Sequence, residues 1–142
     1  MPISNSTNRH AGTFIARVLL GLIFMMQGYG KLTKFGMDNL YRMFEPYEEQ
    51  LPTFVVKFAA YYTTYVELIG GLLLVLGLLR NYALYALGLV LLIVSFGHGL
   101  SEPIWDLSHV FPRAVLLVAL LWIPQEWDQW QLEKLINKRR IA

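Results

Sequence analysis

Along the chain, polar positions thin out over four stretches and crowd between them. The apolar stretches cover about residues 13–32, 54–79, 82–100 and 110–124. Each lies near the ~20 residues that a helix needs to cross a bilayer. The last is short, and Trp127 and Trp130 extend it into the interfacial zone. Only Arg80 and Asn81 separate the second stretch from the third, so these two must form a tight antiparallel hairpin. Two further segments are amphipathic. Residues 38–51 place Leu40, Tyr41, Phe44 and Tyr47 at helical spacing, and Pro46 breaks the segment into two short turns. Residues 126–141 set Trp127, Trp130, Leu132, Leu135 and Ile136 against Lys134, Lys138, Arg139 and Arg140, the pattern of a helix lying at a membrane surface. The pattern predicts an all-α fold, a four-transmembrane-helix bundle with short interfacial helices. Residues 1–12 form an N-terminal tail, 13–124 the membrane domain and 125–142 an amphipathic basic tail.

Composition agrees. Charged residues make up 15% of the 142 positions, against about 25% in a soluble domain. That is too few to cover a small soluble surface. A hydrophobic content of 56% also excludes disorder. Cysteine is absent, which excludes disulfides, thiolate metal sites and a CxxC redox pair. A net charge of +2 gives no reason to expect nucleic acid as a partner. The first stretch lacks a small-x-small cleavage site and Arg17 interrupts its start, so it reads as a span rather than a signal peptide. Four spans put both termini on one side. That side holds Arg9, Arg17, Arg80, Lys134, Lys138, Arg139 and Arg140. The other side's Lys31, Lys34, Arg42, Lys57 and Arg113 are diluted by Asp38, Glu45, Glu48, Glu49, Glu102 and Asp106. The positive-inside rule then places both termini in the cytoplasm.

Ionisable groups inside a span cost several kcal/mol, so they face the bundle interior and mark a site. At 100° per residue, Arg17, Gly21, Phe24, Gly28 and Lys31 share one face of the first span, with Gln27 at its edge. Thr63, Thr64, Glu67, Gly70, Gly71 and Leu74 share a face of the second, and Gly88, Ser95 and Gly99 a face of the third, with His98 adjacent. On the fourth, His109 and Arg113 are neighbours at i, i+4. Small residues on these stripes let helix backbones approach closely. Counted from the cytoplasmic ends, Gln27, Glu67, Ser95 and Arg113 lie roughly 18–21 Å deep, and His98 and His109 about 24 Å deep. The expected ligand-binding set is therefore Gln27, Lys31, Glu67, Ser95, His98, His109 and Arg113, converging in the outer half. Glu67 and Arg113 are the natural ion pair, structural or functional, since either charge alone would be expensive. Arg17 reads either as a snorkelling anchor or as an internal partner, and Lys31 and Lys57 read as anchors at span ends. His98 and His109 alone do not define a haem or zinc site. Zinc would need further ligands such as Glu102 and Asp106. No catalytic residue, no metal and no intrinsic cofactor is assigned.

These residues resemble the DoxX family of small bacterial membrane proteins. The matching stretches begin with Arg17-Val-Leu-Leu-Gly-Leu-Ile-Phe and then Gln27-Gly-Tyr-Gly-Lys31-Leu. They end with Glu67-Leu-Ile-Gly-Gly-Leu-Leu-Leu-Val-Leu-Gly77-Leu-Leu-Arg80. With the span spacing, the resemblance covers about residues 13–124. It implies a four-helix bundle in the bacterial inner membrane and a redox association. Some relatives are subunits of a thiosulfate:quinone oxidoreductase, others are linked to membrane oxidoreductases that handle oxidative stress, and many have no assigned activity. Many relatives carry a glutamate early in the fourth span. This chain has His109-Val-Phe-Pro-Arg113 instead, which shifts the expected pairing towards Glu67–Arg113.

The functional expectation is a non-autonomous, redox-associated subunit that binds a quinone or similar small molecule in the outer-half polar pocket. Glu67, His98 and His109 would bond the headgroup and move protons, Arg113 would favour an anionic form, and a partner subunit would supply electrons. Two alternatives stay open. One is a non-catalytic scaffold or assembly partner for another membrane protein. The other is a small-molecule transporter, which four short helices could form only as an oligomer. The glycine-rich faces are compatible with a homodimer, and membrane lipids are the remaining expected partner.

Overall fold

The computed structural model describes residues 5–101 and 108–141. Helix α1 (Asn5–Gly30) runs through one π turn (Lys31–Phe35) into α2 (Gly36–Phe44), and a 3₁₀ turn (Glu45–Glu49) leads to α3 (Thr53–Leu76). Helices α4 (Arg80–Ser101), α5 (Phe111–Trp122) and α6 (Leu132–Ile141) complete the chain, with a 3₁₀ turn (Gln125–Trp127) between the last two. Among the described residues there is no strand. Three helical stretches are long and apolar enough to cross a membrane: Asn5–Glu49, Thr53–Leu76 and Arg80–Ser101. Helix α5 is apolar but shorter, at 12 residues, about 18 Å.

The packing of α1 on α3 rests on glycine. A Cβ on Gly28 would lie 2.5 Å from Leu68 N, one on Gly21 would lie 2.8 Å from Gly71 O, and one on Gly71 would collide with Met25 N. Backbones this close gain dispersion contact without any difference in hydrophobicity between protein and lipid. The buried face of α1 contains Arg17, Gly21, Phe24 and Gly28, and that of α3 contains Thr63, Thr64, Glu67, Gly70, Gly71 and Leu74, as their polar and glycine stripes predict. Helix α4 differs. Its buried face is Arg80, Ala83, Leu84, Leu87, Val90 and Leu91. Gly88 and Ser95 are half-buried and Gly99 is exposed. The core joins Leu20, Phe24, Leu74, Leu84, Leu87, Leu117 and Leu120 from all four long helices.

The hairpin between α3 and α4 is tight but lies earlier than Arg80 and Asn81. Gly77 adopts φ +68°, its N–H bonds Leu74 O at 3.1 Å, and Leu78 N bonds Leu73 O at 2.9 Å, which is a Schellman stop. Arg80 is thereby the first residue of α4. Pro46 does divide the segment between α1 and α3, standing in the first turn of the 3₁₀ helix that follows α2.

Candidate functional site

At the end of the bundle where α1 stops, two polar couples bridge three helices. Lys31 Nζ lies 2.7 Å from Glu67 Oε2, with the lysine side chain 23% exposed and the glutamate 3%. Arg113 Nη1 donates to Gln27 Oε1 at 2.7 Å, and its guanidinium lies 5.9 Å from the centre of the Phe24 ring. This corrects the expected Glu67–Arg113 ion pair. Lys31 sits at the start of the π turn, where α1 passes the middle of α3, so it meets Glu67 rather than serving as a free anchor at a span end. Arg113 bonds the neutral amide and meets the Glu67 charge only at longer range than a direct ion pair.

The rest of the predicted set separates. Ser95 Oγ donates to Leu91 O of its own helix at 2.7 Å, as Thr64 Oγ1 does to Ala60 O at 2.8 Å. These hydroxyls are satisfied where they stand and need no ligand. His98 lines a cavity of about 590 Å³, together with Phe44 and Tyr47 of the segment between α1 and α3, Val55 and Phe58 of α3, and Phe96. Gln27, Lys31, Glu67 and Arg113 do not line it. At this end Tyr47 Oη bonds Ser101 Oγ at 3.2 Å. His109 is exposed, in the short turn before α5. Glu102 and Asp106, the proposed additional zinc ligands, lie outside the described residues. Among the described residues no group of three or more His, Cys, Asp and Glu is placed to hold a metal ion.

The opposite end holds a cluster that the sequence pattern does not reveal. Arg17, Arg80 and Asp128 are all buried. Asp128 Oδ2 lies 2.9 Å from Arg17 Nε and 3.7 Å from Arg80 Nε. Arg17 is therefore an internal partner and not a snorkelling anchor. It donates to Leu74 O, to Val75 O at 3.1 Å and to Trp130 O at 2.7 Å, while Arg80 donates to Leu120 O and to Ile123 O at 3.2 Å. Each arginine caps the last turn of another helix, Arg17 that of α3 and Arg80 that of α5, where free carbonyls attract a cation. Gln131 is buried beside them. The tail is thus not wholly a surface helix, because Asp128 and Gln131 turn inward before α6 begins. One signal could have exposed the cluster. Two arginines at the same end of a bundle require an anion, and Glu126, Asp128 and Glu133 are the acids that follow the last span.

The family model described as DoxX matches residues 12–99, well over half of the chain. No curated protein and no solved structure matches it.

Proposed function

The chain belongs to the DoxX family of membrane proteins, and on that premise we propose a redox-associated subunit that holds a quinone or similar lipid-soluble small molecule. It resides in the bacterial inner membrane and crosses it four times, with both termini in the cytoplasm. Support for the even number of crossings is geometric. His10 Nδ1 lies 2.8 Å from Trp127 O, so the start of α1 and the segment after α5 share one end. Helix α5 is anchored by Arg113 to Gln27 near its start and by Leu120 O to Arg80 near its close. It therefore returns the chain along the bundle despite its length.

The observation that carries the reading is the pair of polar couples, Lys31–Glu67 and Arg113–Gln27, in otherwise apolar helices. Arg113 and the Gln27 amide offer N–H donors to a carbonyl oxygen, and the Glu67 carboxylate accepts from a hydroxyl. Those are the partners that the oxidised and reduced heads of a quinone require. A quinone would supply the two-electron, two-proton chemistry, and a partner subunit would exchange the electrons. The two couples do not line the apolar cavity that His98 lines, so the reading requires the hydrophobic body of such a ligand to reach from the couples to that cavity. The test is quinone binding to the purified protein in detergent. Glu67→Gln and His98→Ala are each expected to weaken binding, and unchanged affinity in both variants rejects the reading.

A further inference from the structure

The segment between α5 and the middle of α6 makes its contacts with the ends of other helices. His10 meets Trp127 O, and the Arg9 guanidinium lies 4.7 Å above the Trp127 ring. Phe14 meets Trp130 edge-on at 5.4 Å, and Arg17 donates to Trp130 O. Glu133 N donates to Gly77 O at 3.4 Å, while Glu133 Oε2 accepts from Leu79 N at 3.2 Å. Gln131 packs so closely on the α3–α4 turn that a Cβ at Gly77 would lie 2.9 Å from Gln131 Cα. Most of these contacts are neutral or lie at the surface. The exception is Asp128, the carboxylate shared by both buried ion pairs.

We infer that residues 124–134 form a strap closing this end of the bundle, and that Asp128 is its latch, so that the strap is held by charge and releases as one unit when that charge is removed. With Asp128 in place, the buried cluster of two guanidiniums and one carboxylate carries a net charge of one. Without it, two cations face each other out of water, the arrangement that buried charges tolerate least. Water reaches them only if the strap lifts. Asparagine occupies the same volume as aspartate, so Asp128→Asn separates charge from packing.

Because the chain contains no cysteine, an introduced pair reports alone. Leu79→Cys with Glu133→Cys, in the full chain in detergent, reads strap closure as the rate of intramolecular disulfide formation under mild oxidant. Adding Asp128→Asn is expected to slow that rate at least ~10-fold, since breaking a buried pair from one side is strongly destabilising. Asp128→Glu is expected to restore most of it. Hydrogen exchange at residues 127–133 should accelerate together in the Asn variant. Cross-linking within twofold of the parent in the Asp128→Asn variant overturns the latch.

Discussion

A carboxylate midway along an apolar helix is stable only in company, and Glu67 finds it in Lys31. Breaking that pair from one side leaves a buried charge. Glu67→Ala or Lys31→Ala is therefore expected to cost about 3 kcal/mol, near the lower bound for a buried pair because Lys31 is partly open. Lys31→Met with Glu67→Leu should recover most of the loss, since apolar groups of similar volume replace both ions. Unfolding in mixed detergent measures both. Gly77 has a different task. Its φ of +68° favours glycine, and a methyl there would also press on Gln131. Gly77→Ala is expected to cost at least about 1–2 kcal/mol in the same assay. The sequence marks Glu67, Lys31, Gln27 and Arg113 as unusual residues but does not pair them. Which cation reaches Glu67 depends on how the helices stagger. The 3.6-residue pattern puts Lys31 on the inner face of α1 but does not say which level of α3 it meets.

At the level of helices, glycine placement separates contact from ornament. Gly28 lies where α1 meets the backbone of α3, whereas Gly99 of α4 has open space around it. Gly28→Ala should force the two helices apart at a cost of about 1–3 kcal/mol. Gly99→Ala should be neutral or stabilising by up to about 1 kcal/mol, from the better helix propensity of alanine. Thermal unfolding of the two variants, compared with the parent, checks the contrast. The interior faces of α1 and α3 were legible because polar and small residues fall together on them. The face of α4 was not. Gly88, Ser95 and Gly99 align on a wheel, yet Leu84, Leu87 and Leu91 face the core. In a bilayer, leucine is equally at home against a helix or against lipid, so hydropathy does not say which face is inside.

For the molecule as a whole, the proposed four crossings can be read by labelling. In the cysteine-free background, Asn8→Cys and Lys138→Cys are expected to react with an impermeant thiol reagent from one side of sealed vesicles, and Glu49→Cys from the other. Labelling of positions 8 and 138 from opposite sides would refute four crossings. The all-α class and the apolar centres of the helices were legible from the apolar stretches, but the start of α1 at Asn5, inside the expected 1–12 tail, was not. Asp128 was not, because it stands in a short segment without periodicity and its partners are Arg17 and Arg80, each on a different helix. That separation along the chain has a consequence for biogenesis. Contacts of high sequence separation form late, and synthesis proceeds from the N-terminus. Arg17 and Arg80 are therefore made and inserted before Asp128 emerges, and wait for it. A chain halted short of Asp128 holds two guanidiniums with their shared anion missing.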